Sequence, residues 1–204
     1  MRILYATNNP GKLLDASRLS KHLGFEVFSL KDLGIKLDVE ENQPSFEGNS
    51  LKKYIEYSKM ITDPNLWIIT DDSGLEIEAL NNEPGVVSRR WTGYEMTDEQ
   101  ILAFVLEKMK GVENRKARFR GVLTVGKAGV EPQQFEFMIE GELLEEPQQA
   151  SWEPGLPYRS IFYLPQHGKM LHEIHDLPYE KRPGLQTHRE LGLSTAFEHI
   201  KSFS

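Results

Sequence analysis

The 204-residue chain has no cysteine, which excludes disulfide staples and thiolate metal sites and fits a reducing compartment. It also lacks any apolar run near the roughly 20 residues that span a bilayer, and Met1-Arg2 leads straight into a strand-like segment with no signal-peptide core. A cytoplasmic protein with no membrane partner is the expectation. Positive charge is in deficit, 24 Lys and Arg against 31 Asp and Glu for a net charge of -7, so no diffuse basic field draws a nucleic-acid polymer. A small polyanion remains compatible, because a few convergent cations suffice where a divalent metal sits on neighbouring carboxylates. Internal repeats, low-complexity tracts and flexible linkers are missing as well. A chain of this length buries a core unaided, and residues 1–204 read as one domain with two lobes.

What is present begins with Ile3-Leu4-Tyr5-Ala6-Thr7-Asn8-Asn9-Pro10-Gly11-Lys12. An apolar strand ends in polar residues, turns through Pro and Gly, and enters a helix at whose head backbone N–H groups favour an anion. Lys12 adds a full charge there. The same run also reads as an ordinary strand-to-helix loop with Asn9 as N-cap. The spacing predicts a helix over Lys12 to Leu23 stopped by Gly24, then a short strand over Phe25 to Leu30, a parallel unit.

Asp38-Val39-Glu40-Glu41-Asn42 is an acidic loop, either a source of a metal ligand in Glu41 or a solvated turn. Ser45 opens a helix whose expected apolar side carries Phe46, Leu51, Tyr54, Ile55 and Ser58, while Asn49 and Lys53, four apart, share a different face. The apolar strand Trp67 to Thr70 is expected to deliver Asp71-Asp72-Ser73-Gly74 at its carboxyl end, where ligands of open α/β sheets gather. A second strand follows over Leu75 to Ala79, then a turn at Asn81 to Gly85, and Thr97 with Gln100 forms a capping box before a helix. Ala117 to Val125 and Phe135 to Ile139 alternate as an antiparallel pair around Lys127-Ala128-Gly129. The fold class is therefore α/β with a mixed sheet, two-lobed, with a central cleft as the expected ligand site.

Residues 143–157 and 178–184 are long loops around the strand Ile161 to Leu164, and Thr187 with Glu190 makes a second capping box before a last helix. His188 and Arg189 then fall in the first helical turn, where positive charge opposes the dipole unless an anion is present. Two familiar patterns fail. Gly11-Lys12 lacks the first glycine and the Ser or Thr of a Walker A loop, and His172 and His175 are three apart rather than four, so both histidines are expected at the surface. The surviving set is Thr7, Asn8, Asn9, Lys12, Lys53, His188 and Arg189 as donors and cations with Glu41, Asp71 and Asp72 as carboxylates. Such a set suits Mg²⁺ and a polyphosphate, since Mg²⁺ takes one or two carboxylates together with phosphate oxygens and water.

These residues resemble the inosine triphosphate pyrophosphatase family along nearly the whole chain. The resemblance rests on Thr7-Asn8-Asn9-Pro10-Gly11-Lys12, Phe46-Glu47-Gly48-Asn49 with Lys53, Asp71-Asp72-Ser73-Gly74-Leu75, Pro84-Gly85, Ser88 to Arg90, Ala117-Arg118-Phe119 and Thr187-His188-Arg189, in that order. It implies a two-lobed homodimer that hydrolyses non-standard purine nucleoside triphosphates such as ITP, dITP and XTP to monophosphate and pyrophosphate with Mg²⁺. It further implies that Glu41 and Asp72 hold the metal and that Asp72 or Asp71 activates water. Lys12 would serve catalysis and, with Thr7, Asn8, Asn9, Lys53, Ser73, Tyr158, Thr187, His188 and Arg189, would bind substrate. The family's Gly-Phe-Gly-Tyr-Asp-Pro segment stands here as Gly155-Leu156-Pro157-Tyr158-Arg159-Ser160, so the base-stacking aromatic is Leu156 and the acidic base reader is Arg159. A family lysine stands as Pro183, with Lys181 or Arg182 as replacements. These departures leave open a nucleotide-binding sensor or sequestering protein whose catalysis is lost or redirected.

Overall fold

The opening apolar run forms β1 (Arg2–Tyr5), and Ile3, Leu4 and Tyr5 are buried, as a strand covered on both faces requires. A computed structural model describes residues 1–148, 154–182 and 184–203; Pro183 and part of the loop expected at 143–157 lie outside them. Pro at the first position and the Asn9 cap start α1 (Pro10–Leu23), two residues before the expected start, and Gly24 ends it with φ 74°, a left-handed conformation that glycine adopts without strain. The next strand, β2 (Glu26–Phe28), is shorter than expected. Ser29 ends it by donating through its N–H and hydroxyl to the Asp32 carboxylate at 2.8 and 2.7 Å, which turns the chain.

The helix α2 (Phe46–Ser58) starts where expected, with the Ser45 hydroxyl accepting from Gly48 N–H. Its buried side is different: Phe46, Asn49, Ser50, Lys53, Tyr54 and Tyr57 face inward, while Leu51 and Ile55 are 36% and 45% exposed. The reason is polar. Ser50 packs beneath the sheet by hydrogen bonding Thr124 (2.8 Å) and accepting from the Thr70 hydroxyl through its carbonyl (2.8 Å), which turns the two aliphatic residues outward.

The strand expected to stop at Thr70 continues as β3 (Trp67–Ile77) and absorbs most of the second strand expected after it. Asp71 and Asp72 thus lie in mid-strand. They still fall past the edge of the parallel pairing, because β1 runs beside β3 only from Ile3 opposite Trp67 to Tyr5 opposite Ile69. Beyond them β3 takes an antiparallel neighbour, β4 (Glu83–Pro84). The helix α3 (Asp98–Lys108) carries the expected capping box, and β5 (Lys116–Lys127) and β6 (Val130–Leu143) form the expected hairpin about Ala128-Gly129. Then come β7 (Phe162–Leu164), β8 (Lys169–Met170), α4 (Leu171–Asp176) and α5 (His188–Lys201). The sheet of the described residues is mixed, in the order β2-β1-β3-β5-β6-β7-β8 with β4 on β3.

The chain divides into two compact units. The first comprises residues 1–73, 121–137 and 189–204, with a core that includes Leu4, Leu30, Tyr54, Tyr57 and Ile68. The second comprises residues 74–120 and 138–188, where α3 and α4 cover a sheet face of Leu75, Ile77, Phe119, Ile139 and Phe162. The histidine expectation fails in this unit. Leu171, Ile174 and His175 share the inner face of α4, so His175 is buried, and His172 is half-buried with Nδ1 3.4 Å from the Arg159 carbonyl.

Candidate active site

The polar turn after β1 is held by its own side chains. Thr7 Oγ1 accepts from Asn9 N–H at 3.1 Å, and Asn9 Oδ1 accepts from Lys12 N–H at 3.1 Å, so both readings of this segment hold together: Asn9 is the cap, and Lys12 stands in the first helical turn. Asn8 donates from Nδ2 to Asp38 in the acidic loop at 3.1 Å. Lys12 reaches across to β3, its ammonium 2.8 Å from Asp71 Oδ2.

From α2, Lys53 donates both to the Asp71 carbonyl and to Glu41 Oε1, the latter at 2.5 Å. One turn earlier, Asn49 donates to Asp72 Oδ2 at 2.8 Å while its own carbonyl oxygen accepts from Gln43 N–H at 2.9 Å, tying the acidic loop to the carboxylate. Ser73 N–H occupies the other Asp72 oxygen at 2.9 Å. At the head of α5, Arg189 donates from Nη1 to Asp15 Oδ2 at 2.8 Å and from Nη2 to Ser73 Oγ at 3.3 Å, with Nε 3.9 Å from Asp71 Oδ2. All of these residues belong to the first unit. Gly121 is a condition of the arrangement: a Cβ there would come within 2.5 Å of Ser73 Cβ and 2.8 Å of the Asp72 carbonyl, so only glycine lets β5 pass this close.

The electrostatics separate the two adjacent aspartates. Burial raises Asp71, but Lys12, Arg189 and Lys53 outweigh it and hold the carboxyl below its ordinary range. Burial also dominates at Asp72, and there the nearby Glu41 charge adds to it, so that despite Lys53 the carboxyl is pushed up to about 6. At Glu41 burial is outweighed by Lys53 and Lys12 and the carboxyl stays low, while at Lys53 burial is outweighed by Glu41, Asp72 and Asp71 and the ammonium is raised. Burial and the Asp71 charge push the Tyr5 phenol well above its usual value. One carboxyl is thus held below its ordinary range and its neighbour above it, the usual mark of a site where two acids play different parts.

Glu41 and Asp72 are the carboxylates that would hold a divalent cation, which would offset the repulsion by which the Glu41 charge raises Asp72. Among the described residues no group of three or more His, Asp or Glu gathers as a metal cage, so a cation here would complete its shell with water and ligand oxygens.

The remaining candidates lie in the second unit. His188 stacks on Phe119 at 4.5 Å and 10°, and Phe119 also meets Phe162 at 4.7 Å and Tyr158 at 6.2 Å. Thr187, Tyr158, Leu156 and Arg159 are buried around this ring system. Of the two replacements for the family lysine, Arg182 is buried and donates to the Leu177 and Leu185 carbonyls, while Lys181 is exposed. Sequence reasoning missed Asp15 and Gly121. Asp15 had a signal: it sits four residues after the buried Gly11 and four before the buried Leu19, a carboxylate on the inward row of α1.

A sequence model of the Ham1 family matches residues 3–183. The dITP/XTP pyrophosphatase of Bacillus subtilis is 35% identical over 173 residues, 84% of each chain. That of Clostridium tetani is 31% identical over 203 residues, 98% of this chain and 96% of its own. Among solved structures, the Ham1 protein of Staphylococcus aureus superposes with a TM-score of 0.77 at 29% identity over all of both chains, and the HAM1 protein of Coxiella burnetii with 0.78 at 28% over 99% of each. On sequence match and shared fold alike, the chain belongs to the Ham1 family.

Proposed function

We propose that the protein hydrolyses non-standard purine nucleoside triphosphates, ITP, dITP and XTP, to the monophosphate and pyrophosphate, with Mg²⁺ held by Glu41 and Asp72. The observation that carries this is the interleaving of Lys12 and Lys53 with Asp71, Asp72 and Glu41 beside the head of α1. When bound, the metal polarises phosphoryl oxygens and fixes the polyphosphate. Lys12 and Lys53 neutralise the leaving pyrophosphate, and the α1 N-terminus favours the same charge. Asp72 orients and deprotonates the attacking water. Asp71 is the poorer base, because Lys12 and Arg189 hold its carboxyl below the ordinary range, which weakens its hold on a proton, and it has no exposed side-chain surface. Thr7, Asn8, Asn9 and Ser73 supply donors to phosphate and sugar, and Tyr158, Thr187, His188 and Arg189 the base end. A cytoplasmic homodimer acting on the free nucleotide pool, not on a nucleic-acid polymer, completes the reading.

The test is direct. ITP, dITP, XTP and the four ordinary ribonucleoside triphosphates are each incubated with protein and Mg²⁺, and released pyrophosphate is measured. Turnover of the hypoxanthine or xanthine nucleotides above the ordinary four is expected, and no release from any of the seven removes the enzyme. The buried Leu156 and Arg159 favour one rival, a nucleotide-binding module with lost or redirected catalysis. Calorimetric binding without pyrophosphate release would select it.

A further inference from the structure

Asp15 lies three residues after Lys12 on α1 and is fully buried. A carboxylate in that position is costly unless paired, and its partner is the equally buried Arg189 from α5. The guanidinium is a rigid planar fork. With Nη1 on Asp15 at 2.8 Å and Nη2 on Ser73 at 3.3 Å, its Nε is left 3.9 Å from Asp71 Oδ2, beyond hydrogen-bond range. That same oxygen is the one Lys12 reaches at 2.8 Å. Two cations therefore face one carboxylate oxygen, and only the lysine holds it.

Left to itself, an arginine beside a buried carboxylate takes it in the two-pronged geometry that guanidinium and carboxylate share, against which a single ammonium competes poorly. We propose that Asp15 is a positioning residue: by engaging Arg189 it keeps the guanidinium off Asp71 and so reserves Asp71 for Lys12 at the head of α1. The consequence for turnover rests on the pyrophosphatase reading above. The geometry of Lys12 does not, and this separates the two tests.

The ligand-free full-length chain is acetylated with limiting acetic anhydride, and each lysine's labelling rate is read by mass spectrometry. In Asp15→Asn, Lys12 is released and labels at least about threefold faster than in the wild type, while the exposed Lys59 is unchanged. Asp15→Glu restores the carboxylate and returns Lys12 to within about twofold of the wild-type rate. In Arg189→Met the competing fork is gone, and adding Asp15→Asn then has no further effect on Lys12. The kcat/KM for ITP falls about tenfold or more in Asp15→Asn and recovers in Asp15→Glu. A wild-type Lys12 rate in Asp15→Asn, or the same acceleration from Asp15→Asn with Arg189 already replaced, overturns the proposal whether or not the chain proves to be a pyrophosphatase. If Asp15→Asn does not accumulate folded, Asp15→Ala, which removes the same anchor of the fork without leaving an amide in its place, decides alone: a Lys12 rate equal to wild type overturns the proposal and a faster one supports it.

Discussion

The two units hold their candidate residues by different physics. In the first, three charged groups are each fixed by two directional bonds: Asp72 by Asn49 and Ser73, Lys53 by Glu41 and the Asp71 carbonyl, Arg189 by Asp15 and Ser73. In the second, the rings of Phe119, Tyr158, Phe162 and His188 rest on one another, with Leu156 buried nearby. An ionic lattice tolerates no missing member, since a lost partner leaves a buried charge unpaired. A packed aromatic cluster accepts a change of shape at modest cost. Leu156 and Arg159, where the resemblance read from the sequence leads one to expect an aromatic and an acid, are both buried in the second unit, while the expected carboxylates and lysines stand in the first.

The contrast is sharpest when one residue is changed on each side. Asp72→Ala is expected to lower kcat on ITP by about 10³-fold or more while the far-UV spectrum stays native. Leu156→Phe, which would place an aromatic at the proposed base end, is expected to leave kcat nearly intact and to lower the KM for ITP by roughly tenfold, the lower part of what a base-stacking contact is worth. An Asp72→Ala enzyme that retains its rate, or a Leu156→Phe enzyme that loses it, would overturn the roles proposed for these two residues.

The same contrast explains what could be read from the sequence. Helix starts were legible because capping is local: Asn9, Ser45 and Thr97 each bond a backbone N–H three residues on. The site carboxylates and lysines were legible because they follow strand and helix starts at short range. Asp15 was not: its place on the inward row of α1 marks the residue, but its partner Arg189 is 174 residues away and the local sequence does not name it. The end of β3 differs from the expectation because Asp71 and Asp72 look like a turn, whereas Lys12 pairs with the Asp71 carboxylate, Lys53 with the Asp71 carbonyl and Asn49 with Asp72 inside a strand. The inner face of α2 was misjudged for the converse reason: Ser50 and Lys53 go inward to polar partners that a hydrophobicity pattern does not register.

The ionic lattice also carries a pH signature. Asp72 sits at about 6 against an ordinary 3.8, so its folded form prefers the proton. A carboxyl raised on folding contributes stability that is complete below the unfolded value and is lost as pH rises through the folded one. In metal-free buffer with chelator, the stability difference between Asp72→Asn, which cannot ionise, and the wild type should therefore move in favour of the variant by about 1 kcal/mol between pH 5 and pH 7.5. Denaturant midpoints at the two pH values measure it. A difference that stays constant, or moves toward the wild type, would mean that burial and Glu41 do not govern Asp72.

The smallest effect is expected on the far side of the helix that supplies Asn49 and Lys53. Leu51 and Ile55 are four apart on the outer face of α2, 36% and 45% exposed, and glutamine is a comparable helix former. Replacing both by Gln should change stability by no more than about 0.5 kcal/mol, the usual range for surface positions. Tyr57→Ala on the inner face, 2% exposed, should cost about 3 kcal/mol or more, as truncating a large buried ring does. The double Gln variant also probes the proposed homodimer. If a second copy covers this face, two polar amides there weaken the assembly, and the melting temperature becomes more dependent on protein concentration than in the wild type. A flat concentration dependence with unchanged stability instead leaves the outer face of α2 to solvent, and a dimer contact must then lie on another surface.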